Sequence, residues 1–154
     1  MSTIAALDAL ADFRRARRRQ RAGRAWRWLK GHRVACRPRD LEAVAALSRR
    51  PARLRPIPLP AIVGTVDPTK DFDARFRPAT DRIASRWQRI ARAHRAGRSL
   101  PPITVIERPD GYYVLDGRHR VSVARALGHD VIDAWVSPTA GANRAGDDSE
   151  RRAA

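Results

Sequence analysis

Residues 103–128, ITVIERPDGYYVLDGRHRVSVARALG, leave this chain few folds to choose from. Apolar side chains concentrate in ITVIE (Ile103–Glu107) and YYVL (Tyr112–Leu115), and Pro109-Asp110-Gly111 between them is a turn. The pair therefore predicts a β-hairpin. Asp116-Gly117 breaks the second strand, and Arg118 to Leu127 then reads as a helix closed by Gly128. Val121, Ala124, Arg125 and Leu127 fall on or near its inner face. Val131 to Val136 is a further strand. Strand, strand, helix and strand in about thirty residues predict an α/β (α+β) fold, a small mixed sheet with packed helices.

Upstream, Thr80 or Asp81 is placed to cap a helix running to about Ala96. Ile83, Trp87, Ile90 and His94 recur at helical spacing, while Arg82, Arg86, Arg89 and Arg95 take the wet side. Trp87 and Trp135 are expected in the core, and His94 in the core or at its edge. Gly64 to Pro78 is a loop with Asp67-Pro68 as a turn. Its Asp67, Asp71 and Asp73, with Lys70, would suit a hard cation, but acids paired with nearby arginines are favoured. Phe72 and Phe76 are expected to pack. Arg75 and Arg77 fit a phosphate or a surface ion pair equally well. Ile57 to Val63 (IPLPAIV) predicts one edge strand, because proline cannot donate to a ladder.

The chain has 154 residues and a net charge of +16, and residues 1–55 carry 16 basic and 4 acidic side chains of that excess. No apolar run reaches the eighteen residues of a membrane span. The N-terminus lacks the apolar core of a secretory signal, and a cytoplasmic or nucleoid-associated protein without membrane contact is expected. The lone Cys36 excludes an internal disulfide and any multi-cysteine zinc site. Lys30 and Lys70 are the only lysines, so part of the charge reflects a compositional bias toward arginine. Thr3 to about Lys30 reads as a helix by propensity. Its loose apolar stripe (Ile4, Leu7, Leu10, Ala11, Phe13) gives way to Arg14, Arg15, Arg17, Arg18, Arg19, Arg21, Arg24 and Arg27. Like charges three and four apart should fray that stretch unless an anion neutralises it. Arg14, Arg15, Arg17, Arg18, Arg21 and Arg24, with Trp26 and Trp28, suit DNA or RNA, through phosphate neutralisation and base stacking. The plainer reading is a solvated helix that packs its tryptophans and binds nothing specific. A short helix over Asp40 to Ser48 follows, then the proline-rich RRPARLRPIPLP. Three regions result: a basic helical extension (1–55), a compact domain (56–137) and a polar, disordered tail (138–154).

The chemistry gathers at Asp116 to Arg120. A strand delivers the chain to a Gly-assisted turn and a helix begins at once. Unpaired amides and the partial positive charge of a helix start favour an anion. Arg118, His119 and Arg120 stand in that same turn and would repel one another without one. Phosphate is the natural guest, arginine supplying a forked contact and histidine a directional one. Asp116 is suited to magnesium or to taking a proton from an attacking hydroxyl. The alternative is that Asp116 merely caps the helix and the arginines are solvated.

Leu100-Pro101-Pro102-Ile103-Thr104-Val105 resembles the first conserved box of the ParB N-terminal domain, in the ParB/sulfiredoxin superfamily. Asp116-Gly117-Arg118-His119-Arg120 and the residues to Gly128 resemble the second box, over a match of about residues 57–136. In partition ParB that box contacts nucleotide phosphates. The Asp-Gly-x-His-Arg form is closer to the branch containing free-serine kinases and DGQHR-type proteins, where the acid and the His-Arg pair serve a nucleotide and its metal. Sulfiredoxin needs a cysteine where this chain has Arg118, so sulfinic acid reduction is not expected. Only 18 residues follow Val136, so the helix-turn-helix and dimerisation domains of partition ParB are not expected.

The resemblance implies a nucleoside triphosphate site, for CTP or ATP with Mg2+. Gly117, Arg118, His119 and Arg120 would cradle the phosphates, Asp116 would hold the metal, and the basic extension would reach DNA or RNA. Two other readings stand beside it. One is a phosphotransferase, nucleotide hydrolase or nuclease using Asp116 and His119 catalytically. The other is a nucleic-acid adaptor with a vestigial pocket. The residues do not decide between monomer and homodimer.

Overall fold

The computed structural model describes residues 3–29, 39–40, 51–67 and 69–138. In chain order these form α1 (Thr3–Leu29), β1 (Arg39–Asp40), β2 (Arg53–Pro58), a 3-10 turn (Leu59–Ala61), β3 (Ile62–Thr65), α2 (Ala84–Arg95), β4 (Ile103–Arg108), β5 (Gly111–Asp116), α3 (Arg118–Leu127) and β6 (Val131–Pro138). The fold is mixed α/β. Six strands lie in the order β1-β3-β5-β4-β6-β2. The β4–β5 hairpin occupies the centre, with β3 parallel to β5 and β6 parallel to β4.

The expected single strand over 57–63 is two strands on opposite sides of the hairpin. β2 pairs antiparallel with β6 at one edge, and β3 lies beyond β5. Pro58 precedes the 3-10 turn that separates them and Pro60 lies within it; a proline there removes ladder donors and forces the chain off one strand line. The helix expected over Asp40 to Ser48 lies outside the described residues, except that Asp40 belongs to β1 beside β3. The tail after Pro138 also lies outside them. The Thr80/Asp81 cap is not used as expected: α2 starts at Ala84, and the Thr80 hydroxyl instead donates to Asp71.

α3 lies between the sheet and the other helices. Val121 and Ala124 join a core with Ile57, Leu59, Ile103, Val105, Val114, Ala134 and Val136. Val123, on its other side, joins a second core with Phe13 of α1 and Trp87 of α2. The Trp87 indole, fully buried, donates to the Ser122 hydroxyl at 2.9 Å, so the one polar atom of that ring is satisfied. Phe72 and Phe76 are buried, as expected of aromatic anchors. Trp135 is not a core residue: it is 43% exposed on the open face of the sheet, opposite Leu54 of β2. Alternation along β6 turns Ala134 and Val136 inward and Trp135 out.

The arginine run does not fray α1. Ala9, Asp12, Phe13, Ala16 and Gln20 recur three and four apart and are all buried, so one face is small enough to lie close on α2. Phe13 meets Trp87 edge-on at 5.5 Å. Asp12 accepts 2.8 and 2.7 Å hydrogen bonds from Arg95 at the end of α2. Arg17 pairs with Asp81 at 2.9 Å, and Arg77 donates to the Arg19 carbonyl. The arginines fall on the remaining faces, where acids of the compact domain meet some of them. α1 therefore shares a core with the domain that was expected to start at residue 56.

Candidate functional site

Gly117 makes the turn between β5 and α3. Its φ of 104° is left-handed, and a Cβ there would stand 2.4 Å from the Ile103 side chain. Only glycine lets the strand end that tightly against β4. α3 then begins with no side-chain cap and no acid in its first turn, so its amide end stays open to an anion.

The three cationic side chains of this turn do different things. Arg120 folds back: it pairs with Asp116 at 2.5 Å and donates to the carbonyls of Pro101 and, at 2.7 Å, Pro102. Its guanidinium is thus committed to holding the 100–102 segment against the turn. Arg118 makes one 3.2 Å bond to the Asp67 carbonyl, which also accepts from the Thr65 hydroxyl. His119 lies against Phe72, and its buried Nε2 has no hydrogen-bond partner. Burial pushes the imidazole down from 6.5 to about 4, with Arg86 and Arg118 adding to the shift while Asp71 and Asp116 oppose it. A negative charge placed beside this histidine would raise its pKa again.

These groups line a cleft of about 120 Å³ with Thr69, Asp71, Phe72, Ile90 and Arg86. Pockets that enclose whole drug-sized ligands measure roughly 300–1,000 Å³, so this one has the size for a phosphate group. Arg86 is the residue that sequence reading left on the wet side of α2. Its signal was its place four residues after Arg82, which lies just before α2 and pairs with Asp71 of the acidic loop. Asp71 faces the same cleft but is spoken for: a hydrogen bond from Arg82, reinforced by Thr80, lowers its pKa against the effect of burial. Asp73 is buried and accepts from the amides of Arg75 and Arg77 and from the Arg77 side chain. Of the loop acids, Asp71 and Asp73 are therefore ion-paired, with Arg82 and Arg77, while Asp67 is exposed.

Among the described residues no three His, Cys, Asp or Glu side chains gather to hold a metal ion. Asp116 is exposed and paired with Arg120, so a magnesium ion there would compete with that guanidinium and take its other ligands from phosphate oxygens. On α1, Arg14, Arg18 and Arg24 are exposed, Arg15 lies 4.0 Å from Asp12, and Arg17 and Arg21 approach Asp81. The six are not one patch: those nearest the domain are paired with its acids.

No protein-family model matches this chain, and no curated protein does. Among solved structures it is similar to sulfiredoxin from Arabidopsis thaliana, at 23% identity over 66% of this chain and 94% of that one, with a TM-score of 0.40. Among the described residues no helix is long and apolar enough to cross a membrane.

Proposed function

We propose that this chain binds a nucleoside triphosphate, CTP or ATP, by lodging one phosphate group at the N-terminus of α3 while base and sugar extend outside the cleft. The observation that carries this reading is the unpartnered, buried Nε2 of His119 beside Arg86 and Arg118. Arg118 and Arg86 supply charge, the first-turn amides supply directional donors, and protonated His119 supplies a further one. Gly117 and Arg120 shape the turn and touch no ligand. Mg2+ would join through Asp116 and the phosphates. Calorimetric titration with CTP, ATP and inorganic phosphate, with and without Mg2+, tests the proposal. The double variant Arg118→Ala/His119→Ala should lose at least tenfold in affinity and still melt cooperatively. Unchanged binding in that variant overturns the assignment.

A second reading is favoured by the exposed Arg14 and Arg18, one turn apart on the outward side of a docked helix. There α1 contacts the phosphate backbone of DNA or RNA and adds a nucleic-acid partner to the nucleotide site. Replacing both by Ala should reduce the slope of log affinity against log salt by about 0.9 per arginine on duplex DNA, or about 0.7 on a single strand. An unchanged slope removes α1 from the interface.

A further inference from the structure

A second, larger cavity lies between α1, the 74–78 turn and α3. Its volume is about 800 Å³, within the range of sites that enclose small organic ligands. Leu59 and Ile62, both buried, with Val63 and Ala126, make an aliphatic floor. The polar lining is one-sided. Arg15, Arg19, Arg75, Arg77 and Arg125 stand against one acid, Asp12. Asp12 is already taken by Arg95, and Arg77 by the buried Asp73. Among the described residues no acid pairs with Arg19 or Arg75, which approach the cavity from α1 and from the turn.

Arg125 adds to the asymmetry. Its guanidinium lies over the Phe76 ring at 5.1 Å and donates to the carbonyls of Leu59 and Ile62. Burial lowers its pKa, opposed by the nearby Asp73 carboxylate, so it carries its charge in partial desolvation with backbone carbonyls as its hydrogen-bond acceptors. Docking α1 thus brings like charges together over apolar surface, and hydrogen bonds to carbonyls do not cancel them. An occupant that relieves both features has an aliphatic body and an oxyanion at one end.

We infer that this cavity is a binding site for an amphipathic organic anion, with an alkyl body on the Leu59–Ile62 floor and a carboxylate or phosphate head against Arg19 and Arg75. Fatty acids and alkyl phosphates share that chemistry. The site is separate from the cleft at Gly117, and its ligand need not be a nucleotide.

Calorimetric titration of the full chain with decanoate, decyl phosphate and decanol, each below its aggregation concentration, is the test. The two anions should bind saturably at one site and at least tenfold more tightly than the alcohol. Comparing the anions tells carboxylate from phosphate heads. Arg19→Ala/Arg75→Ala, both at exposed positions, should weaken the anions at least tenfold and leave CTP and ATP titrations as they were. Ala74→Trp, also at an exposed lining position, should block the alkyl body. Equal affinity for decanol, no effect of the arginine pair, or no binding of either anion would each overturn the inference.

Discussion

The ring of Phe72 stands at 88° to that of His119, with centroids 5.2 Å apart, and sets the imidazole edge-on in the wall of the cleft. Phe72 is itself buried in the core shared by α1, α2 and α3. The position of the histidine therefore depends on helix packing, and its acid–base behaviour follows from that burial.

His119 should make stability fall with acid. Its folded pKa, about 4, is below the ordinary 6.5, so the unfolded chain binds the extra proton first. The contribution is fully present above pH 6.5 and is lost as pH falls through 4. His94, lowered by burial and by His129, acts in the same sense, so the comparison must be with His119→Gln. Urea midpoints at pH 7 and pH 5 should differ less in that variant than in the parent. Phosphate binding beside His119 should also draw in a proton, read as a dependence of the calorimetric heat on the buffer's ionisation enthalpy.

Gly117→Ala should cost on the order of 3 kcal/mol, combining a left-handed backbone with a Cβ driven into Ile103. Gly128→Ala is the control. Its φ is 80°, but a Cβ there meets nothing within 4 Å, so strain alone remains, about 1 kcal/mol. Chemical denaturation of both variants should rank them in that order, and equal losses would contradict the steric account.

Phe13→Ala should destabilise the whole molecule by about 3–5 kcal/mol, the usual range for emptying a buried phenyl site. If α1 were a separate arm, the midpoint of the domain's unfolding would not move. Trypsin provides a second readout, since cutting within the arginine run should quicken when α1 loses its hold on Trp87. Rates equal to the parent's would mean the shared core does not anchor the helix.

Much of the fold was legible because local patterning decides it. The β4–β5 hairpin, its turn, the Asp116-Gly117 break and α3 with its closing Gly128 each occupy a contiguous stretch whose periodicity and turn residues agree. Ile83, Trp87, Ile90 and His94 likewise marked the packed side of α2: the first two are buried and the last two half-buried. The split of residues 53–65 into two strands was not legible, because partner choice in a sheet depends on distant segments.

The candidate site divides in the same way. The anion-seeking start of α3 is a local property of a strand, a glycine and a helix, and could be read from 112–120 alone. Which cations remain available there is not local. Arg118 and Arg120 are the same residue type two places apart, yet Arg120 is spent on Asp116 and the Pro101 and Pro102 carbonyls while Arg118 stays at the cleft. Arg86 enters only because α2 packs on α3. Sequence by itself determined the elements and the charge they carry, since those follow from short-range sterics and periodicity. Tertiary structure alone decided which charges are cancelled and which face a cavity, since an ion pair or an apolar floor is made by residues far apart along the chain.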